Sequence, residues 1–99
     1  KSISDTNRSA EFDIFFDQSF THLGFGETAM QHLLRVGFDE KKLNRIYGFV
    51  LAENRNALSL YKRLGFEQEG VLRQNVKKGD RFYDSICVSI LINEYERNH

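Results

Sequence analysis

The sequence predicts an α/β fold with a mixed sheet, its elements in the order β-α-β-α-β-β. Three observations carry this. Apolar residues alternate in "AEFDIFFD" and then switch to a helical period from Gly26. A nearly continuous apolar run, "RIYGFVLA", sits between two helix-patterned segments, as a strand of a parallel pair does. Two further strand-like runs close the chain around "KKGD", a hairpin turn built on Gly79.

The elements follow in order. "KSISDTNRS" is polar and reads as a loop. The first strand spans Ala10 to Asp17, with Phe12, Ile14 and Phe16 on one side. "QSFTHLGFG" ends it with two glycines. The first helix runs from Gly26 to about Lys41, with Met30, Leu33, Leu34 and Gly37 on its apolar stripe. The apolar run from Arg45 to Ala52 reads as a strand covered on both faces. In "NRNALSLYKRLGF", Ala57, Leu60, Tyr61 and Leu64 fall at i, i+3, i+4 and i+7, with Asn54 as N-cap and Gly65 as the stop. "FEQEGVLRQNV" and "RFYDSICVSILINEY" are the last two strands. Strands alternating with helices give the parallel pair, and the final two an antiparallel hairpin.

Composition narrows the function. The 99 residues form one small domain. Nine Phe and four Tyr predict an aromatic core. Lys plus Arg equals Asp plus Glu at 14 each, which gives no global attraction to nucleic acid or an acidic membrane. The single cysteine, Cys87, excludes an internal disulfide, suits a reducing, cytoplasmic setting and reads as a small core residue. No stretch is apolar enough to span a membrane, and no signal-peptide pattern opens the chain. His22, His32 and His99 lack metal-ligand spacing, so no metal is expected.

Two places could carry chemistry. In "LGFGE", residues 23 to 27, two glycines between strand and helix leave N–H groups at a positive helix end, which suits a phosphate. The same pattern also serves as a plain tight turn. It is neither a Walker loop, for want of the Lys-Ser or Lys-Thr pair, nor a dinucleotide fingerprint, for want of a third glycine. The second place is Asn54, Asn56 and Tyr61. They are either a cap, a first-turn residue and a core tyrosine, or amides and a hydroxyl facing a cleft beyond the parallel strands.

The two occur together in an order that resembles the GNAT family of N-acetyltransferases, on "LGFGETAMQHLLRVGFDEKKLNRIYGFVLAENRNALSLYKRLGFEQEGVLR". The likeness runs from about Ala10 to Tyr95 and is nearest the ribosomal-protein-alanine, spermidine and nucleotide-sugar amine acetyltransferases. It implies a sheet of the acyl-CoA N-acyltransferase type, truncated at the N-terminus. Residues 1–99 are then the C-terminal, acetyl-CoA-binding part of that fold, beginning at the turn before the family's fourth strand. It implies acetyl-CoA as cofactor and a primary amine as acceptor: a protein N-terminus, a polyamine or an amino sugar. By the resemblance Leu23, Gly24, Phe25, Gly26 and Glu27 hold the pyrophosphate through main-chain N–H groups. Phe15 and Phe16 pair with the pantetheine arm, Asn54 and Asn56 contact pantetheine or phosphate, and Tyr61 protonates the departing thiolate. The sequence departs from the family pattern at Thr21, at His22 and at Asn56, where Arg is frequent. A sheet starting in mid-fold would leave the first strand with an unpaired edge, so a homodimer through that strand is expected. The competing readings are a catalytically inactive remnant that binds CoA or self-associates, and a nucleotide-binding module.

Overall fold

The computed structural model describes residues 2–4, 7–12 and 25–98. Strand β1 (Ser2–Ser4) and strand β2 (Ser9–Glu11) precede helix α1 (Phe25–Arg35), which runs on into a π-helical turn (Val36–Glu40). Strand β3 (Arg45–Leu51), helix α2 (Arg55–Arg63), strands β4 (Glu67–Lys78) and β5 (Arg81–Leu91) and helix α3 (Ile92–Asn98) complete the chain. The five strands form one mixed sheet in the order β1-β2-β3-β5-β4, with β2 and β3 the parallel pair. The predicted α/β class and its six elements are all present, joined by two elements that the sequence did not announce.

The first of these is β1. The polar opening expected as a loop contains a strand, antiparallel to β2 with Ile3 opposite Ala10. Three residues are too few to show a period. Just before β2, Arg8 takes φ 52, and its Nε and Nη2 donate to the Lys42 carbonyl at 3.0 and 2.7 Å. The unpaired edge expected on the first strand is therefore filled over residues 9–11. Of the strand expected from Ala10 to Asp17, the described part is Ser9–Glu11, followed by Phe12; positions 13–17 lie outside the described residues.

The second is α3. Residues 92 to 95, expected to continue the last strand, are helical. Glu94 Oε1 accepts the Leu91 N–H at 2.9 Å, a local cap that turns the chain out of the sheet. Tyr95 then stacks on Phe38 with centroids 4.8 Å apart.

The core is one contiguous cluster on one face of the sheet. Met30 and Leu34 of α1, Phe38 of the π turn, Ile46 and Val50 of β3, Ala57, Leu60, Tyr61 and Leu64 of α2, and Ile86, Val88 and Ile90 of β5 all belong to it. The first helix widens to π geometry where Gly37 meets β3: a Cβ there would fall 2.6 Å from Ile46 Cδ1. The Lys41 N–H reaches back to the Val36 carbonyl at 2.9 Å, the five-residue bond of that geometry.

The expectation that β3 is covered on both faces is corrected. Ile46, Gly48 and Val50 are buried, but Tyr47 and Leu51 are half-buried and Phe49 is 44% exposed. Both α1 and α2 pack on the Ile46–Val50 side. Among the described residues no helix lies on the other. That outer face is polar at one end, where Arg45 pairs with Glu69 and lies over the Tyr47 ring at 5.0 Å, and Glu69 also accepts from the Ser89 hydroxyl. Cys87 opposes Phe49 there, half-buried rather than in the core.

The β4–β5 hairpin turns at Gly79, with φ 64. Its ladder slips twice, between Gln68 and Gly70 and between Leu72 and Val76. Gln74, at φ 51, is held by its N–H donating to Asp84 Oδ1 at 2.8 Å. No helix of the described residues is long and apolar enough to cross a membrane.

Leu34 is fully enclosed at 0% exposure. Leu34→Ala is expected to cost about 2–5 kcal/mol in urea denaturation, with an unchanged slope.

Candidate active site

Helix α2 begins as its sequence requires. Asn54 is the N-cap and its Oδ1 accepts the Ala57 N–H at 3.2 Å. This satisfies one of the first-turn donors. Asn56 is exposed in the same turn. The helix stops at Gly65, with φ 101, a value that favours glycine. Between those ends the stripe Ala57, Leu60, Tyr61, Leu64 faces the sheet, and Tyr61 is 3% exposed.

The parallel ladder of β2 and β3 runs from Ser9↔Arg45 to Glu11↔Tyr47, and the Phe12 N–H adds a bond to the Tyr47 carbonyl at 2.8 Å. Beyond it β3 continues for Gly48 to Leu51. Tyr61 lies against the end of that ladder. Its ring is 5.4 Å from Phe12 and 5.4 Å from Phe66, centroid to centroid. Burial pushes its phenol up to about 12. The hydroxyl is therefore neutral and able to donate across the whole physiological range. Tyr61 also lines a cleft of about 450 Å³ with Leu58, Lys62, Gly65, Phe66 and Gln68.

The other candidate residues divide. Phe25 and Gly26 open α1, and Glu27 stands in its first turn, where its Oε1 accepts from Arg63 Nη2 at 3.2 Å. That ion pair ties the start of α1 to the end of α2. Leu23, Gly24, Phe15, Phe16, Thr21 and His22 lie outside the described residues. Sequence reasoning missed Phe12, Gly48, Phe66 and Arg63 as neighbours of the candidate site. For Gly48 a signal was available: a glycine inside an apolar strand marks a close approach. Burial first, and Glu69 after it, raise the Cys87 thiol, which favours its protonated form.

The geometry is that of an α/β domain with a buried, neutral tyrosine at the end of a parallel strand pair. Comparison with known proteins gives it a family. Residues 2–66 match the acetyltransferase (GNAT) family, and the chain belongs to that family. It is 34% identical over 93 residues to an uncharacterized N-acetyltransferase of Bacillus licheniformis, covering 94% of this chain and 52% of that protein. It is 33% identical to spermidine N(1)-acetyltransferase of Vibrio cholerae, covering 94% and 54%. The dodecameric structure of the Vibrio cholerae spermidine N-acetyltransferase matches with a TM-score of 0.88 at 33% identity, over 98% of this chain and 57% of that one. The chain thus spans about half the length of the curated relatives it matches.

Two outcomes are expected. Asn54→Ala should lower stability by about 0.5–2 kcal/mol through the lost cap, while Asn54→Asp should retain most of it, both read by chemical denaturation. The raised Tyr61 phenol stabilises the fold fully below its ordinary value near 10. That contribution should fall away as pH rises through about 12. A pH series of melting temperatures checks it against Tyr61→Phe, which should show a shallower alkaline decline.

Proposed function

We propose that this chain is the acetyl-CoA-binding part of an N-acetyltransferase that moves an acetyl group to a primary amine. One observation carries the proposal: a buried tyrosine, neutral at physiological pH, at the end of the parallel strand pair in a chain of the GNAT family. The kinds of relative it resembles favour a small alkyl amine, such as a polyamine, as acceptor, since spermidine is named for the Vibrio cholerae protein. A protein N-terminus and an amino sugar are the other candidates.

The residues present suit the cofactor. When bound, acetyl-CoA would supply an activated acetyl thioester whose sulfur needs a proton on departure. The Tyr61 hydroxyl would hold that proton, because burial keeps the phenol from ionising. Its ring neighbours Phe12 and Phe66 keep water from its sides, which strengthens any hydrogen bond it gives. Phe25, Gly26 and Glu27 bring N–H groups of the first turn of α1 to the phosphate end, joined in this reading by Leu23 and Gly24. Phe15 and Phe16 would pair with the pantetheine arm. Asn54 serves as the cap of α2 through its side chain, so any contact it makes with the cofactor uses its remaining hydrogen-bonding capacity. Asn56 stands exposed beside it, in the same turn of α2.

Tyr61→Phe should lower kcat by about 10²–10⁴-fold, with the KM for acetyl-CoA nearly unchanged, because a proton donor acts in the transition state. Equal turnover by the two proteins would overturn its role. CoA should also raise the melting temperature by mass action. A shift with CoA but no transfer to any of a panel of amines would favour the inactive, CoA-binding alternative. No shift, with ATP active instead, would favour a nucleotide module.

Self-association is part of the same proposal. β1 is the outermost strand on its side of the described sheet, and Phe49 and Leu72 stand exposed on the outer face. Light scattering over a concentration series should give a homodimer or larger assembly, and a concentration-independent monomer would exclude it.

A further inference from the structure

Gly48 is buried in the middle of β3, on the face that carries the core. A Cβ placed on it would fall 2.3, 2.4 and 2.6 Å from three atoms of the Phe12 ring. No real Cβ comes so close to a neighbouring heavy atom, so the ring fills the volume that any side chain at position 48 would need. Glycine within a strand weakens it and packs nothing, so its presence there calls for a local cause. The cause is the seat it makes for Phe12.

Phe12 is fixed in that seat from two directions. Its N–H is bonded to the Tyr47 carbonyl at 2.8 Å, and its side chain is 5% exposed. Its ring meets Tyr61 at 5.4 Å with the planes tilted by 45°, and meets Phe66 edge-on at 5.7 Å and 86°. Phe66 in turn meets Tyr61 at 5.4 Å. The three rings close a triangle, one side of which rests on bare main chain. Tyr61 comes from α2 and Phe66 stands between that helix and β4, while Phe12 brings the third ring from the end of the β2–β3 ladder.

We propose that Phe12, seated against Gly48, is the positioning residue for the Tyr61 hydroxyl, fixing the direction in which it donates relative to the end of the β2–β3 ladder. The inference rests on the reading of Tyr61 as proton donor. A rigid wall has a different effect from mere volume. A flexible side chain of similar size fills the space but lets the phenol shift, and misplacement by about 1 Å can cost on the order of 10²-fold in rate.

The test is a double-mutant cycle on the full 99-residue chain with Phe12→Met, which keeps much of the volume without the rigid ring, and Tyr61→Phe. Phe12→Met should lower kcat by about 10–100-fold, with the KM for acetyl-CoA within about threefold of the parent. In the Tyr61→Phe background it should add nothing, because the residue it acts through is gone. Effects that multiply would overturn the positioning role and leave the donor reading standing. Undiminished turnover by Tyr61→Phe alone would overturn the donor reading and this inference together. A second measurement needs no turnover. With ¹³Cζ-labelled tyrosine, the Tyr61 resonance should shift or broaden in folded Phe12→Met and Gly48→Ala relative to the parent, because the ring loses its fixed neighbour. A resonance unchanged in both folded variants overturns the proposal.

Discussion

β3 is the strand on which the remaining elements depend. It pairs with β2 on one side and β5 on the other, parallel to the first and antiparallel to the second. One of its faces receives α1 and α2 together, because each helix returns the chain across the same side of the sheet. Ile46, Gly48 and Val50 are the three positions that meet them, and the middle one has no side chain. A strand that is buried on one face and has a gap at its centre must be filled from a neighbour. Phe12 of the adjoining segment fills it, which couples the parallel pairing, the helix packing and the candidate site in one contact.

The same contact accounts for a hydroxyl on a buried stripe. A phenol between two apolar rings is tolerated because it is neutral, and the surroundings that keep it neutral also keep it protonated. Had Tyr61 been placed nearer the Arg45–Glu69 pair on the outer face, its titration would have been set by charge. On the core face desolvation is the only cause of its shift. Stability and proposed chemistry thus ask the same thing of one environment.

Where the sequence was legible, a period or a stop residue was long enough to read. Asn54, the Ala57–Leu64 stripe and Gly65 give α2 with its cap and its end, and Gly79 gives the hairpin. What escaped was set by particular pairings and contacts rather than by periodicity. β1 is three residues long and exists because β2 offers it an edge. Ile92 to Tyr95 follow directly on the strand run and read as its continuation, while the Glu94 cap and the Tyr95 stack on Phe38 accompany a helix there. The open outer face of β3 could not be inferred from an apolar run, since Tyr47, Phe49 and Leu51 are as apolar in sequence as their buried neighbours. Of the site, Tyr61 and the two asparagines were identifiable from spacing, and the resemblance supplied their roles. Phe12 was visible only as one of several alternating phenylalanines, because its importance comes from Gly48, thirty-six positions later.

The slipped ladder of the hairpin has a consequence for how the sheet ends. β4 is an outermost strand of twelve residues with nearly all of its side chains in water. A flat strand of that length would be a template on which any extended chain could add itself. Two breaks in register and a left-handed residue at Gln74, stapled by Asp84, bend the template so that its donors and acceptors do not present one straight row. An incoming strand could match only a few bonds before losing phase. Along the described sheet, the β4 edge is thereby made a poor template for strand addition without a covering helix.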